Sequence, residues 1–253
     1  MDNAQDKTKF KFGLVGKDIS YSFSRGYFAD KFDNENLQHS YVNFDLQSID
    51  ELPDIIKNTP NLKGLNVTIP YKEQVIPLLD KLNKRAQKIG AVNTIRITKN
   101  KKLIGYNTDY YGFKNSLKPH LKSHHKKALI LGTGGASKAI AYALKKLRIK
   151  YDFVSRSQKE GVTFMYSDIN ENIISDYTIL INCTPIGTFP NVNTCPDIPY
   201  DAITQKHILY DLIYNPEQTK FLKCGTLKGA TTINGLKMLN LQAEKSWKIW
   251  NKS

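Results

Sequence analysis

The chain has 253 residues, 40% of them hydrophobic, with 37 lysines and arginines against 23 acidic residues and a formal charge of +14. That length supports two modest cores, and no run approaches the roughly 20 apolar residues of a membrane helix, so no membrane partner is expected. The polar start Met1 to Lys7 shows no signal-peptide core, and Cys183, Cys195 and Cys224 lack metal-ligand spacing, as in a reduced cytoplasmic protein without a metal.

In chain order, Lys11 to Gly16 predicts a strand, Ser24 to Phe32 a helix, and His39 to Leu46 a strand. Ile49 to Lys57 predicts a helix carrying Pro53, Leu62 to Ile69 a strand, and Tyr71 to Leu82 a helix carrying Pro77. Val92 to Thr98 and Leu103 to Tyr106 flank Lys99-Asn100-Lys101-Lys102 as a hairpin. Asp109 to Leu117 predicts a helix that bridges to a second domain, and His120 to Lys127 is a polar linker edge. The pair His124-His125 has no neighbouring ligand partner, so no metal site is expected there. Strands at 128–131, 151–155, 178–182 and 207–213, with a helix at 136–148, read as a parallel sheet. Leu236, Leu239, Ala243, Trp247 and Trp250 mark a long amphipathic helix that packs back on the first domain.

The turn Gly132-Thr133-Gly134-Gly135-Ala136-Ser137 joins an apolar strand to a helix. In a dinucleotide fold, such a turn brings backbone N–H groups and the positive helix end to a pyrophosphate; the other reading is an ordinary tight turn. An NAD site places a carboxylate at the end of the next strand. Here Ser155-Arg156-Ser157 stands there, and a guanidinium suits a 2′-phosphate, pointing to NADP; the plain alternative is a solvated loop arginine. The basic excess is otherwise spread along the chain without the interleaved aromatics of a nucleic-acid platform, so no nucleic-acid partner is expected. It reads as a solvated face that also attracts small anions.

Four polar clusters stand at element ends in the first half. Ser20-Tyr21-Ser22-Phe23-Ser24 offers hydroxyls to a carboxylate or, through Ser24, a helix cap. In Asn66-Val67-Thr68-Ile69-Pro70-Tyr71-Lys72, strand alternation sends Asn66 and Thr68 to one face. Lys72 falls in the first turn of a helix, against the dipole, which points to a task, although in so lysine-rich a chain a plain surface lysine is the ordinary reading. Asn93, within Gly90-Ala91-Val92-Asn93-Thr94, offers a donor and an acceptor. Asp109, within Gly105-Tyr106-Asn107-Thr108-Asp109, opens a helix, where capping is the plain alternative.

These motifs, over roughly residues 10–250 and in order, resemble the shikimate dehydrogenase family. The resemblance rests on Ser22-Phe23-Ser24, Asn66 to Lys72, Ala91 to Thr94, Asn107 to Asp109, Gly132 to Ala136, Asn182 to Gly187, Asp211 to Pro216 and Gly235 to Gln242. It implies an α/β protein of two domains. Residues 1–108, with 235–253 returning, would form a substrate domain with a mainly parallel sheet, and residues 109–234 a Rossmann-like NADP-binding domain. It implies reversible reduction of 3-dehydroshikimate by NADPH in aromatic amino-acid biosynthesis, by a monomer or homodimer. The resemblance makes Lys72 and Asp109 the catalytic pair, with Ser22, Ser24, Asn66, Thr68, Asn93 and Gln242 lining the substrate pocket and Tyr214 closing it. Gly132, Thr133, Gly134, Gly135, Ala136, Ser155, Arg156 and Ser157 would hold NADP, with Thr184, Leu212 and Gly235 beside it. The alternatives are a quinate/shikimate dehydrogenase preferring NAD and a non-catalytic cofactor-binding regulator. The chain departs from the family pattern at Tyr21 (usually His), Arg25 (usually Pro) and Asn234 (commonly Asp), and Lys159 stands in for a second arginine after Arg156.

Overall fold

A computed structural model describes residues 9–19, 22–158 and 160–252. The chain divides into two compact units, Met1–Thr108 with Ala243–Ser253, and Asp109–Gln242. The predicted return to the first domain began at 235; the division falls inside the last helix, after Gln242.

In the first unit, β1 (Lys11–Gly16), β2 (Ser40–Asp45), β3 (Leu62–Val67), β4 (Lys81–Leu82), β5 (Thr94–Ile97) and β6 (Leu103–Tyr106) form one sheet in the order β2-β1-β3-β5-β6-β4. Pairs β1–β2, β1–β3 and β4–β6 are parallel, while β3–β5 and the hairpin β5–β6 are antiparallel. β1 is buried along five of its six residues, as expected of a strand covered on both faces. Alternation sends Phe12 and Leu14 into one apolar cluster with Phe28 and Phe32 of α1 (Phe23–Asn34), and Val15 into the other with Leu52 of α2 (Leu52–Asn58), Leu65 and Val67. The expected helix through Pro53 is divided: a 3-10 turn, Ile49–Glu51, precedes α2, whose first turn takes the proline.

The expected helix from Tyr71 to Leu82 does not form. α3 (Tyr71–Gln74) is a single turn, Ile76–Leu78 is a 3-10 turn, and the chain then enters β4. Pro77 is the cause, since it lacks an N–H and its ring collides with the carbonyl four residues back. α4 (Lys84–Ile89) follows, unforeseen, capped by Asn83, whose Oδ1 accepts from the Arg85 N–H at 3.0 Å, and ended by Gly90 at φ 73°.

In the second unit, β7 (Lys127–Leu131), β8 (Lys150–Ser155), β9 (Phe164–Met165), β10 (Ile179–Asn182), β11 (Ile208–Asp211) and β12 (Thr231–Ile233) form a sheet in the order β12-β11-β10-β7-β8-β9, every pair parallel. Counted from β7 as first, this is the 3-2-1-4-5-6 order of a doubly wound sheet, whose switch point lies between β7 and β10. α5 (Asp109–Leu117) packs on α6 (Gly135–Lys146). α7 (Glu171–Asp176) and α8 (Lys220–Leu227) complete the unit with β9 and β12. None of these last four was expected, because two- and three-residue strands and two-turn helices are too short for a periodicity to register.

The last helix, α9 (Leu236–Trp250), begins in the second unit and ends in the first. There Trp250 lies directly on β3: a Cβ on Gly64 would stand 2.2 Å from its Cδ1, and its indole N–H donates to the Ile95 carbonyl at 3.0 Å.

Candidate functional site

Hydrogen bonds, two between backbone groups and two through asparagine side chains, knit three of the polar motifs of the first unit together. The Val92 N–H donates to the Lys72 carbonyl at 2.7 Å, and the Val67 N–H to the Asn93 carbonyl at 2.9 Å. The Thr108 N–H donates to Asn93 Oδ1 at 2.6 Å, and Asn107 Nδ2 to the Ala91 carbonyl at 3.1 Å. Lys72 is half-buried on α3. A single turn carries little aligned dipole, so the expected opposition between Lys72 and a helix field loses its basis. Thr68 lies just beyond β3, half-buried, its N–H donating to Val15 O at 2.8 Å.

Asn66 and Asn93 are 4% and 3% exposed and belong to an interior polar network. Asn66 Nδ2 donates to the Asn93 carbonyl, Thr94 Oγ1 and Ser246 Oγ at 3.1, 3.3 and 3.1 Å, while Asn66 Oδ1 accepts from the Tyr41 hydroxyl at 2.8 Å. Ser24 bonds the same hydroxyl, whose pKa burial drives upward. Ser246 Oγ lies 2.8 Å from Thr94 Oγ1 and 3.2 Å from Thr108 Oγ1. Ser24, Asn66 and Asn93 are thus linked through Thr94 and Thr108, which lie in the quoted motifs, and through Tyr41 and Ser246, for which the sequence offered no signal. Contrary to the expected cap, Ser22 and not Ser24 caps α1, accepting from the Arg25 N–H at 3.3 Å. Proline, usual at that position, has no N–H to give. Ser20, Tyr21 and Lys159 lie outside the described residues.

In the second unit the glycine turn sits at the switch point. Gly132 has φ 104°, and a Cβ there would meet Thr184 Cγ2 at 2.9 Å. Gly134 caps α6 with no side-chain acceptor, and Ser137 Oγ closes the turn by donating to the Gly134 carbonyl at 2.6 Å. The first-turn N–H groups therefore carry no side-chain cap, which fits a pyrophosphate. At the end of β8, Arg156 and Ser157 are exposed, while buried Ser155 accepts from the Ser157 N–H at 3.4 Å. No carboxylate stands among residues 155–158 to repel a 2′-phosphate.

Across the switch point, Asn182 and Asp211 end β10 and β11, both 0% exposed. Asn182 Oδ1 accepts from Thr184 N and Oγ1 at 3.0 and 2.6 Å, and its Nδ2 donates to Ile186 O at 3.2 Å and Asp211 Oδ1 at 3.1 Å. Asp211 also accepts from the Ile213 N–H at 3.0 Å and the Thr219 hydroxyl at 2.6 Å. Burial pushes its pKa up to about 6 against these three bonds. Burial and the Asp211 charge raise the Cys183 thiol as well. This knot fixes the loops carrying Thr184, Leu212 and half-buried Tyr214. The motif signatures contained both residues, but their role emerges only from the adjacency of β10 and β11.

Gly235 presses on Leu212: an added Cβ would stand 2.1 Å from the Leu212 carbonyl oxygen. Asn234 accepts from the Leu236 N–H at 3.2 Å, so it opens α9 where the family commonly has Asp. Buried Gln242 follows on α9, beside α5, whose Gly112 would place a Cβ 2.5 Å from Met238 O and 3.2 Å from Gln242 Cβ. Asp109, 6% exposed, opens α5.

The doubly wound parallel unit, with its glycine turn at the switch point and a second α/β unit in the same chain, defines a Rossmann-type dinucleotide-binding protein of two domains. Residues 14–95 match the family described as Shikimate dehydrogenase substrate binding domain. The chain is 38% identical to the shikimate dehydrogenase (NADP(+)) of Methanosphaera stadtmanae, over 94% of this chain and 90% of that one. It is 40% identical to that of Clostridium botulinum, over 94% and 95%. The crystal structure of shikimate dehydrogenase from Aquifex aeolicus superposes with a TM-score of 0.85 at 33% identity, covering 99% of this chain and 94% of that one. The chain belongs to the shikimate dehydrogenase family.

Proposed function

We propose that this protein interconverts 3-dehydroshikimate and shikimate with NADP, Lys72 and Asp109 acting on the reacting oxygen. It is an NADP-dependent oxidoreductase of a CH–OH group. The observation that supports the residue roles is the knitting together of the Asn66–Lys72, Ala91–Thr94 and Asn107–Asp109 motifs by short hydrogen bonds. Bound NADPH supplies the hydride. Lys72 gives the proton that the carbonyl oxygen takes up on reduction and takes it back on oxidation. Asp109 holds the same hydroxyl and orients Lys72. Ser22, Ser24 and Thr68 offer hydroxyls to the substrate carboxylate and ring, and Asn66, Asn93 and Gln242 hold their amides around it. Tyr214 closes the pocket.

The Gly132–Ala136 turn would receive the pyrophosphate and Arg156 with Ser155 and Ser157 the 2′-phosphate, with Thr184 and Leu212 beside the cofactor and Gly235 near the nicotinamide. We place the protein in the cytoplasm, in keeping with its three free cysteines; among the described residues no helix is long and apolar enough to cross a membrane.

The test is steady-state oxidation of shikimate and of quinate with NADP+ and NAD+, read by reduced-nicotinamide absorbance. Shikimate with NADP+ is the expected best pair. Lys72→Ala is expected to cut turnover by about 10²–10⁴-fold with a far smaller change in substrate affinity; turnover near wild type removes Lys72 from the reaction.

A further inference from the structure

The first unit carries a cleft at the opposite end of its sheet from Asn66, Thr68 and Lys72. It has a volume of about 760 Å³ and lies between the start of β3, the β5–β6 turn and the end of α9. The register settles its position. Gly64 pairs with Arg96 and Asn66 with Thr94, so Lys63 and Arg96 lie towards the start of β3, away from its substrate end.

Five cations line this cleft, Lys63, Arg96, Lys99, Lys101 and Lys252, and among the described residues its lining includes no carboxylate. Two of them carry costs of burial. Arg96 Nη1 donates to the Lys252 carbonyl at 3.2 Å, but its buried Nε has no acceptor among the described residues. A buried charged donor left unpaired is costly and rare. Lys63 lies 4.3 Å from the centroid of the Phe10 ring and donates to Asn251 Oδ1 at 2.9 Å, and burial lowers its pKa. Like charges gathered around one concavity focus a positive field into it. A guanidinium fork with several ammonium groups matches phosphoryl oxygens.

We propose that this cleft is a binding site for a small anion carrying two or more phosphoryl groups, separate from the substrate and cofactor residues. A monoanion leaves most of the local charge uncompensated, whereas a polyphosphate meets several of the five cations at once.

The test is calorimetric titration of inorganic tripolyphosphate into the full chain at low ionic strength, with saturating NADP+ and shikimate so that Arg156 is engaged. One equivalent is expected to bind. Arg96→Gln is expected to weaken it about tenfold, the worth of one charge-assisted hydrogen bond. Because Arg96 is half-buried, the exposed double variant Lys99→Gln/Lys101→Asn provides a second arm; asparagine tolerates the φ of 59° at position 101. It too should bind more weakly with turnover unchanged, whereas Lys223→Gln, on α8, should bind as wild type. Equal affinity in all variants, loss of binding when NADP+ is present, or tighter binding of a single-stranded oligonucleotide than of tripolyphosphate overturns the proposal.

Discussion

Asp211→Asn probes the knot between the two loops assigned to the cofactor. In the folded chain burial lifts this carboxyl from 3.8 to about 6. Below about pH 3 both folded and unfolded chains hold the proton, and nothing is lost. As pH rises from about 4 to about 6, the unfolded chain releases the proton while the folded chain retains it, so stability falls; above 6 the loss is complete and constant. The gap from 3.8 to about 6, at roughly 1.36 kcal/mol per pH unit, is worth about 3 kcal/mol. Asparagine keeps an acceptor for the Ile213 N–H and Asn182 Nδ2, and its own amide can donate to Thr219 Oγ1 if that hydroxyl turns. Any cost of this rearrangement is the same at every pH. The stability of Asp211→Asn minus that of wild type should therefore climb by about 2.5 kcal/mol between pH 4 and 7. Urea unfolding at fixed ionic strength measures it, followed by circular dichroism and by amide exchange in the second unit, because Trp247 and Trp250 both report on the first. A difference that stays flat across that range, or falls, refutes the argument that burial dominates the three hydrogen bonds.

Ser246→Ala removes a fully buried hydroxyl that meets Asn66, Thr94 and Thr108. It should lower unfolding stability by about 1–3 kcal/mol and raise KM for shikimate with KM for NADPH unchanged; tryptophan fluorescence and steady-state kinetics read the two effects. Arg156→Ala should raise KM for NADPH roughly 10–100-fold, the worth of one or two charge-assisted bonds, and barely alter that for NADH; an equal rise for both dismisses the 2′-phosphate contact. Gly235→Ala forces a Cβ against the Leu212 carbonyl. It should cost about 1–3 kcal/mol in thermal unfolding and weaken NADPH binding, and an unchanged melting temperature would show that the contact relaxes freely.

The departures from the family pattern have local consequences. Arg25 supplies an N–H that proline lacks, and Ser22 Oγ accepts it, so one lone pair of that hydroxyl is engaged in capping while its proton remains available to donate. Asn234 bonds the Leu236 N–H through Oδ1 and the Glu217 carbonyl through Nδ2. An aspartate could accept the first but not donate the second, so asparagine ties the start of α9 to the loop before α8 without a charge.

Local rules were enough to read the α/β class, the strand–turn–helix at Gly132 and the hairpin at Lys99–Lys102, because each rests on neighbouring residues: a glycine where φ is positive, or polar turn residues between apolar runs. The same rules failed at Tyr71–Leu82, where the apolar period continued through Pro77 but the backbone could not. The parallel order of the second sheet, and with it the switch point, was set by strand pairings between segments tens of residues apart. The partners of Asn66 and Asp211 belong there too: Tyr41, Ser246 and Asn182 come from other elements, and nothing in a one-dimensional pattern records which buried polar group will satisfy which. That pairing is decided by packing, because only a closed core excludes the water that would otherwise serve every donor and acceptor equally well.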